Sequence, residues 1–315
     1  LGSLLILTVG VAWAQTVTVD SALPSYERTT GVSGSIKSIG SDTMNNLMAL
    51  WSEDFRSLYP SVQVEIEGKG SSTAPPALIA GTSNFGPMSR AMKSKEQDDF
   101  EGRFGYQCTH LRTAIDMLAV FVHKDNPIAG LTLDQLSALF GKNPTRNIRT
   151  WGDLGREGEW ANKPISLYGR NSASGTYGYF KKVALQGNDY KPTVKEQPGS
   201  SAVVQGVGTD RFGMGYSGVG YATADTKMLR VSLDGGEAFG PEAEYANSGE
   251  YPLARFLYLY VNADPIQGLD PLRAEFAKLV FSQQGQEVVL KDGYFPVSAN
   301  VARDDLKACG TNPRF

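Results

Sequence analysis

The sequence predicts an α/β protein with two similar lobes, and three observations support this prediction. Strand patterns alternate with helix patterns along most of the chain, which is the order that builds parallel sheets covered by helices. The 315 residues are enough for two medium-sized cores. The composition, with 41% hydrophobic and 20% charged residues, excludes disordered and collagen-like chains. The formal net charge of −3 leaves no global basic field that would recruit nucleic acid.

The N-terminal segment has the pattern of a signal peptide. Residues 4–14 (LLILTVGVAWA) form an uncharged apolar run that ends in an A-x-A cleavage pattern, which predicts a signal peptide over 1–14 cut after Ala14. An apolar strand or helix of the fold is the alternative. No other stretch approaches 18 uninterrupted apolar residues, so we expect a soluble exported protein. Residues 15–33 lack an apolar period and predict a flexible leader.

The folded chain is expected to begin with a βαβαβ unit, which implies a parallel sheet with covering helices. The helix is indicated by apolar residues at three- and four-residue spacing that stop at Pro60. The predicted elements are a strand over 35–40, a helix over 47–58, a strand over 62–66, an alanine-rich helical stretch to Ala80 and a strand end over 84–89.

The rest of the chain repeats this alternation. Two strongly apolar strands are predicted over 116–122 and 255–261. The other predicted elements are a helix over 131–140, a strand over 165–169, a helix over 177–185, strands at 212–216 and 228–233, a surface loop over 234–252, and a long helix over 271–290 before a polar C-terminal stretch. Two α/β units with similar loops suggest a bilobed protein with its ligand between the lobes.

Four segments place glycine and small hydroxyl residues after a strand pattern and before a helix pattern. At a helix start, free N–H groups and the positive dipole end favour an anion, and Ser and Thr add hydroxyl donors. One such segment is more typical of an ordinary helix cap. Four in one chain, one of which carries an arginine, predict a shared site for a compact oxyanion. The segments are 40–43, 70–73, 88–90 and 170–176.

The two cysteines, Cys108 and Cys309, lie far apart in the chain. In an oxidising compartment an isolated pair is typical of one disulfide. Two unrelated buried thiols are the alternative.

Together these motifs resemble the PstS family, the phosphate-binding periplasmic component of the bacterial phosphate ABC importer. The resemblance extends from about residue 35 to the end of the chain. It rests on I-G-S-D-T-M at 39–44, G-S-S-T at 70–73, L-T-L-D-Q-L-S-A-L-F-G-K at 131–142, W-G-D-L at 151–154, R-N-S-A-S-G-T at 170–176, Phe180, G-M-G-Y-S at 213–217 and G-Y-F-P at 293–296.

The resemblance implies a periplasmic-binding-protein fold of the type II kind, with two hinge crossovers and the ligand in the interlobe cleft. Lobe I would comprise 34–117 and 255–315, and lobe II would comprise 118–254. The crossovers would be the strands at 116–122 and 255–261. This topology returns the C-terminal tail to lobe I, which makes a bridge between Cys108 and Cys309 geometrically sensible.

The family's phosphate-binding residues carry over at matching motif positions. An arginine offers planar paired donors, and S-G-T amides and hydroxyls would surround the remaining oxygens of the anion. The predicted phosphate-binding residues are Thr43, the backbone of Met44, Ser71, Ser89, Arg170, Ser174, Gly175 and Thr176. Ser72 is a further candidate beside Ser71.

Position 89 departs from the family pattern, because many members carry Asp where this chain has Ser89. The aspartate accepts the proton of hydrogenphosphate and would repel sulfate, which has no such proton. Ser89 can accept as well as donate, so phosphate stays feasible. Asp42 is a candidate replacement acceptor, with ordinary helix capping as the alternative. Arg90 either adds a second positive charge or pairs with a surface carboxylate.

The leading hypothesis is a non-catalytic receptor, periplasmic or secreted and monomeric, that passes inorganic phosphate to a membrane ABC permease. A receptor for sulfate or another tetrahedral oxyanion is the alternative, and an exported phosphoester hydrolase with a serine nucleophile belongs to another class. No cofactor or metal is expected, since His110 and His123 are the only histidines and lack ligand companions at short spacing. The G-x-G-x-x-G match at 213–218 does not follow the first strand of its lobe, so nucleotide binding is not predicted.

Overall fold

The computed structural model describes residues 17–311 except positions 145 and 247, so the predicted signal peptide over 1–14 lies outside the described residues. The strands are β1 (Ser35–Ile39), β2 (Gln63–Glu67), β3 (Phe85–Met88), β4 (Thr109–His123), β5 (Gly130–Thr132), β6 (Ser166–Arg170), β7 (Lys195–Gln197), β8 (Gly213–Gly218), β9 (Thr226–Met228), β10 (Arg230–Ser232), β11 (Ala238–Phe239) and β12 (Ala254–Val261).

The α-helices are α1 (Asn45–Leu58), α2 (Ala74–Ile79), α3 (Ser94–Phe104), α4 (Leu133–Phe140), α5 (Gly175–Val183), α6 (Ser200–Thr209), α7 (Pro271–Val280), α8 (Gln283–Lys291) and α9 (Ala299–Ala308). Single turns of 3-10 helix occur at Asp42–Met44, Ser71–Thr73, Gly152–Leu154, Gly158–Trp160, Val219–Tyr221 and Ala243–Tyr245. Within the described ranges, no helix has the length and apolar composition that crossing a bilayer requires.

A long mixed sheet passes through the whole molecule in the order β2-β1-β3-β12-β4-β8-β6-β7, with β9 beside β4. β1 pairs in parallel with β2 and β3, and β6 pairs in parallel with β7 and β8. We call the half with β1, β2 and β3 the first lobe and the half with β6, β7 and β8 the second lobe. A separate small sheet has the order β11-β10-β5. The predicted two-lobed α/β fold is confirmed.

β4 and β12 carry the chain between the lobes. β4 pairs antiparallel with β12 up to Met117 and antiparallel with β8 from Leu118 onward. β12 also pairs with β3, which joins it to the first lobe. The apolar strands predicted over 116–122 and 255–261 therefore lie in the strands that connect the two halves.

The first lobe is covered by α1, whose apolar residues recur on one face. Leu47, Trp51 and Phe55 are fully buried there. The Trp51 indole N–H also donates to the carbonyl oxygen of Gly285 at 2.8 Å, which fixes α1 against α8. Burial of such large side chains stabilises a fold by about 1.5–3 kcal/mol each.

Several predicted element boundaries are wrong. The helix expected over 271–290 is two helices, because the chain breaks after Val280 and Ser282 caps α8 by accepting the Gly285 amide. The helix expected over 131–140 begins only at Leu133, where Thr132 provides a capping box. The polar C-terminal stretch contains α9, whose Ala302 and Leu306 are buried.

The flexible leader predicted over 15–33 is described from residue 17 onward, and this part packs against the first lobe. Leu23 and Val32 are buried in the main core. The Tyr26 hydroxyl lies 2.7 Å from the Tyr59 hydroxyl and donates to Glu275 at 2.9 Å. The described part of the segment forms no regular strand or helix, so its apolar residues have no period. It is held instead by the buried side chains of Leu23 and Val32 and by the hydrogen bonds of Tyr26.

The structure corrects the predicted disulfide, since Cys108 and Cys309 are both free buried thiols. They belong to separate core clusters, each with its own acceptor: Cys108 Sγ lies 3.6 Å from the Val261 carbonyl oxygen and Cys309 Sγ lies 3.2 Å from that of Leu306. Burial raises the pKa of the Cys108 thiol to about 12. The alternative of two unrelated buried thiols therefore describes this chain.

Candidate anion-binding site

The predicted loops converge where the two lobes face each other. In the first lobe, β1 leads to the turn Asp42–Met44, β2 leads to the turn Ser71–Thr73, and β3 leads to Ser89. In the second lobe, β6 leads through residues 171–174 to α5. Ligands of open α/β sheets bind outside the carboxyl ends of the strands, and these loops all lie at such ends.

Direct hydrogen bonds join the loops of the two lobes. The hydroxyl oxygens of Thr43 and Thr176 are 2.9 Å apart and both residues are buried. The Ser72 amide donates to the Ala173 carbonyl oxygen at 3.1 Å. The lobes are therefore in contact in this structure, with the first and second lobes each supplying one partner of every pair.

Ser71, Ser89 and Gly175 form another contact across the cleft. Ser71 Oγ accepts the Ser89 amide at 3.0 Å and lies 3.3 Å from Ser89 Oγ. A Cβ atom at position 175 would lie 2.2 Å from Ser71 Oγ and 2.5 Å from Ser89 Oγ, so only glycine allows this approach. Ser174 caps α5, since its hydroxyl accepts the Thr176 amide at 3.2 Å.

Arg170 is buried at the end of β6, with 2% of its side chain exposed. Its Nη1 donates to Ser200 Oγ at 2.7 Å and lies 3.3 Å from Asp42 Oδ2, while Nη2 donates to the Pro198 carbonyl oxygen. Its Nε–H is buried and has no hydrogen-bond partner among the described residues. Burial lowers the pKa of Arg170 and the Asp42 carboxylate opposes this. A guanidinium stays charged in proteins, so Arg170 keeps a spare donor in a buried position.

Arg255 brings a second buried guanidinium to the site from β12. Its Nη2 donates to Thr176 Oγ1 at 2.9 Å and its Nη1 donates to the Ser89 carbonyl oxygen at 2.7 Å. Its charge is paired with the fully buried Asp116 of β4 at 2.6 Å. The other Asp116 oxygen accepts the Val219 amide of the second lobe. The strands that connect the lobes therefore touch the binding loops directly.

The remaining predicted site residues are Arg90, Ser72 and Met44. The side chains of Arg90 and Ser72 and the amide of Met44 form hydrogen bonds within the first lobe. Arg90 forms two 2.7 Å hydrogen bonds with Glu96, and its Nη2 lies 3.3 Å from Ser72 Oγ. Arg90 thus pairs with a carboxylate, which was one of its two predicted roles. The Met44 amide donates to the Ser41 carbonyl oxygen at 3.3 Å inside its own turn.

Comparison with known proteins agrees with this geometry. Residues 25–284 match the family profile of the PBP superfamily domain. The chain is 51% identical to the phosphate-binding protein PstS of Pseudomonas aeruginosa, over 98% of each protein. The chain belongs to the PstS family.

Solved structures of PstS-type proteins have the same fold. A candidate phosphate ABC transporter substrate-binding protein from Clostridium perfringens, solved with bound phosphate, is 25% identical with a TM-score of 0.71 over 84% of this chain and 100% of its own. An ABC-type phosphate transport receptor from Vibrio cholerae, 21% identical, has a TM-score of 0.66 over 83% of this chain and 100% of its own, which supports the fold alone.

Sequence reasoning missed three residues of this candidate site, namely Arg255, Asp116 and Ser200. Asp116 and Arg255 each stand as a lone charge in a strongly apolar strand, and a buried charge requires a partner. Ser200 follows Gly199 in a G-S-S sequence after β7, which repeats the G-S-S of residues 70–72. The same signal that found the four loops could have found Ser200.

Proposed function

We propose that this protein captures inorganic phosphate in the cleft between its lobes and delivers it to an ABC importer in the membrane. The carrying observation is that donors of both lobes converge on one buried place, with the buried Nε–H of Arg170 still lacking a partner among the described residues. Phosphate is a compact anion whose oxygens accept many hydrogen bonds, and arginine suits it especially well.

The two arginines fix the direction in which the site hydroxyls donate. Arg255 donates to Thr176 Oγ1 and Arg170 donates to Ser200 Oγ. An arginine cannot accept a hydrogen bond, so each of these hydroxyls must point its own proton elsewhere. Thr43 Oγ1 lies 2.9 Å from Thr176 Oγ1 and 3.5 Å from Ser200 Oγ, in the direction that both protons can take. Both hydroxyls can thus donate to Thr43 Oγ1 in this structure, and either proton could turn to an anion bound between the lobes.

The contacts favour binding and not catalysis. The Ser71 hydroxyl contacts the amide and the hydroxyl of Ser89, and neither group is a general base that could activate a serine nucleophile. Relatives of this chain are named as phosphate-binding proteins. The hydrolase hypothesis therefore has no support in the site.

The proposal includes the boundaries of the two lobes and the cellular location of the protein. The change of partner in β4 between Met117 and Leu118 supports a division into 34–117 with 255–315 and 118–254. Solute-binding proteins of ABC importers work outside the cytoplasm. The predicted signal peptide and the importer partner favour the periplasm.

Calorimetry tests the proposal directly. We expect one phosphate per chain, lost in Arg170→Ala and sharply weakened in Thr176→Val. Arg211→Ala is the matched control, because this exposed arginine of the second lobe pairs with Glu159 away from the cleft. Binding that survives Arg170→Ala but not Arg211→Ala would place phosphate elsewhere.

Ser89 supports sulfate as a second candidate ligand, because a hydroxyl stands where the resemblance to the PstS family implies a carboxylate. Hydrogenphosphate needs an acceptor for its proton, and Ser89 Oγ can provide one, but a hydroxyl does not repel sulfate as a carboxylate would. Competition calorimetry with both anions, from about pH 5 to about pH 9, measures the preference. We expect Ser89→Asp to bind sulfate more weakly relative to phosphate than the wild-type protein does, and equal ratios would contradict this role of Ser89.

A further inference from the structure

We infer that Asp42 is an interlobe latch: its carboxylate, carried by the first lobe, holds Arg170 and the start of α6 in the second lobe and thereby slows release of the ligand. This inference rests on the proposed function, since it concerns the same cleft. It gives Asp42 a role other than accepting a proton from the ligand. The latch consists of Asp42, Arg170 and Ser200.

The contacts of the Asp42 carboxylate cross the cleft. The Ser200 amide donates to Asp42 Oδ2 at 2.8 Å, and Arg170 Nη1 lies 3.3 Å from the same oxygen. The Tyr221 hydroxyl, also in the second lobe, lies 3.1 Å from the backbone carbonyl oxygens of Asp42 and Thr43. Asp42 itself lies in the turn after β1 of the first lobe. Opening of the cleft must break each of these bonds.

The start of α6 is a favourable place for a carboxylate. Ser200 is the first residue of a helix of ten residues, so its amide has no partner within the helix and lies at the positive end of the helix dipole. Gly199, which precedes it, leaves room for the carboxylate, because a Cβ there would lie 3.2 Å from Asp42 Oδ1. Helices are commonly capped by their own preceding residue, whereas here the other lobe provides the acceptor.

Asp42 also balances the charge of the site. Arg255 is paired with Asp116, and Arg170 is paired with Asp42, so each buried guanidinium has one carboxylate. About a quarter of the Asp42 side chain is exposed, in contrast to the buried Asp116. This partly exposed position places Asp42 at the border of the cleft. From there its carboxylate can hold Arg170 in place and need not contact the bound anion.

Because the latch exists only when the lobes meet, its effect belongs to the closed state. Removing it should speed ligand release far more than it slows capture, as is usual for changes at an interface. Hydrogen bonds to a charged group are stronger than neutral ones, and we expect release to accelerate about tenfold to a hundredfold in Asp42→Ala. Asp42→Asn keeps the shape of the side chain and loses its charge. Its release rate should therefore lie between those of the wild-type protein and Asp42→Ala.

The experiment measures release of radiolabelled phosphate into excess unlabelled phosphate from the full chain. Ser200→Pro removes the amide donor and is compatible with the first position of a helix, whereas Ser200→Ala removes the hydroxyl and keeps the amide. We expect Ser200→Pro to release phosphate faster than Ser200→Ala. We also expect the double variant Asp42→Ala with Ser200→Pro to release it no faster than Asp42→Ala with Ser200→Ala, because without the carboxylate the Ser200 amide has no interlobe bond left to lose.

Asp270→Ala is the matched control. Asp270 caps α7 through the Arg273 amide and pairs with the Arg273 side chain, so it has the same chemistry as Asp42 within a single lobe. Its loss should lower stability and leave the release rate unchanged. An unchanged release rate in Asp42→Ala, or tighter phosphate binding, would overturn the latch.

A second measurement separates the latch from the proposed function. Hydrogen exchange at the start of α6 is followed in wild-type protein and in Asp42→Ala, both without phosphate and at saturating phosphate. Faster exchange in the variant under either condition supports the latch even if the wild-type protein binds no phosphate, in which case only the proposed function fails. Equal exchange in the two proteins under both conditions contradicts the latch, whatever the calorimetry shows.

Discussion

Arg255 donates a 2.9 Å hydrogen bond to the Thr176 hydroxyl, so a strand that connects the lobes contacts the S-G-T loop of the second lobe. The same guanidinium is held by Asp116 on the other connecting strand. Movement of the two strands relative to each other would therefore shift a hydroxyl of the proposed phosphate site. One buried side chain contacts both the connecting strands and this hydroxyl.

The first prediction concerns the guanidinium group of Arg255, whose nitrogens donate to three different residues. Arg255→Lys keeps the positive charge, but its donors leave from a single nitrogen and cannot reproduce the planar fork that spans Asp116, the Ser89 carbonyl and Thr176. We expect phosphate affinity to fall at least about tenfold, measured by calorimetry, because Thr176 loses the donor that directs its proton. Arg112→Lys is the control, since Arg112 has a similar pair with Asp305 away from the site. A weaker affinity in the Arg112 variant alone would contradict the prediction.

The second prediction concerns the close approach at Gly175. In Gly175→Ala the new methyl group would meet Ser71 Oγ and Ser89 Oγ at 2.2 and 2.5 Å, so the lobes could not reach their present contact. Overpacking of this kind costs about 1–3 kcal/mol, which predicts a loss of phosphate affinity of about fivefold to a hundredfold. Urea unfolding should show nearly unchanged stability, because an open cleft relieves the clash.

Gly178→Ala is the matched control for Gly175 on the same helix. A Cβ at position 178 would meet only the flexible Arg90 side chain, at 3.4 Å or beyond. Alanine is a better helix former than glycine, so this variant should bind phosphate normally and be slightly more stable. Equal affinity losses in the two variants would show that the helix, and not the close approach, is responsible.

Local signals predicted the loops of the site well. The loop around Thr43, the hydroxyl of Ser71 and the segment from Arg170 to Thr176 all meet at the cleft, as expected from glycine and hydroxyl residues at helix starts. This succeeded because each loop follows its own strand, and parallel strands bring their carboxyl ends to one edge.

The contacts that cross between distant parts of the chain could not be predicted. The pairing of Asp42 with Ser200 joins residues 158 positions apart, and no local pattern specifies it. The same holds for Arg255 and Asp116, and for the separation of Cys108 from Cys309. Which buried groups become partners depends on the packing of whole elements, and this is decided in three dimensions.

The third prediction concerns the two thiols. Because both are free and buried in separate clusters, denatured protein prepared without reductant should react as two thiols per chain. The native protein should react slowly, because burial raises the pKa of Cys108 to about 12 and disfavours the reactive thiolate. Thermal unfolding should be the same with and without reductant. A thiol count near zero, or a large loss of stability under reductant, would mean that a bridge forms after all.

The fourth prediction concerns Asp292, which accepts a hydrogen bond from Asn46 and lies near the turn Val219–Tyr221 of the second lobe. Burial raises its pKa from 3.8 to about 6, and the Asn46 amide opposes this only in part. Between those values the folded protein binds more protons than the unfolded chain, so this group makes stability fall as pH rises from about 4 to about 6. Above about pH 6, the loss of stability caused by the buried Asp292 charge stays constant.

Asp292→Asn removes the charge that burial disfavours. We expect the free energy of unfolding in urea to rise by about 1–2 kcal/mol at neutral pH, after allowance for partial exposure, and the gain to shrink toward zero near pH 4. Asp153→Asn should behave in the opposite way, because hydrogen bonds from the amides of Arg149 and Thr150 lower the pKa of Asp153. That variant should lose stability at neutral pH and lose less in acid. A gain for Asp292→Asn that is equal at both pH values would show that its cause is packing and not the buried charge.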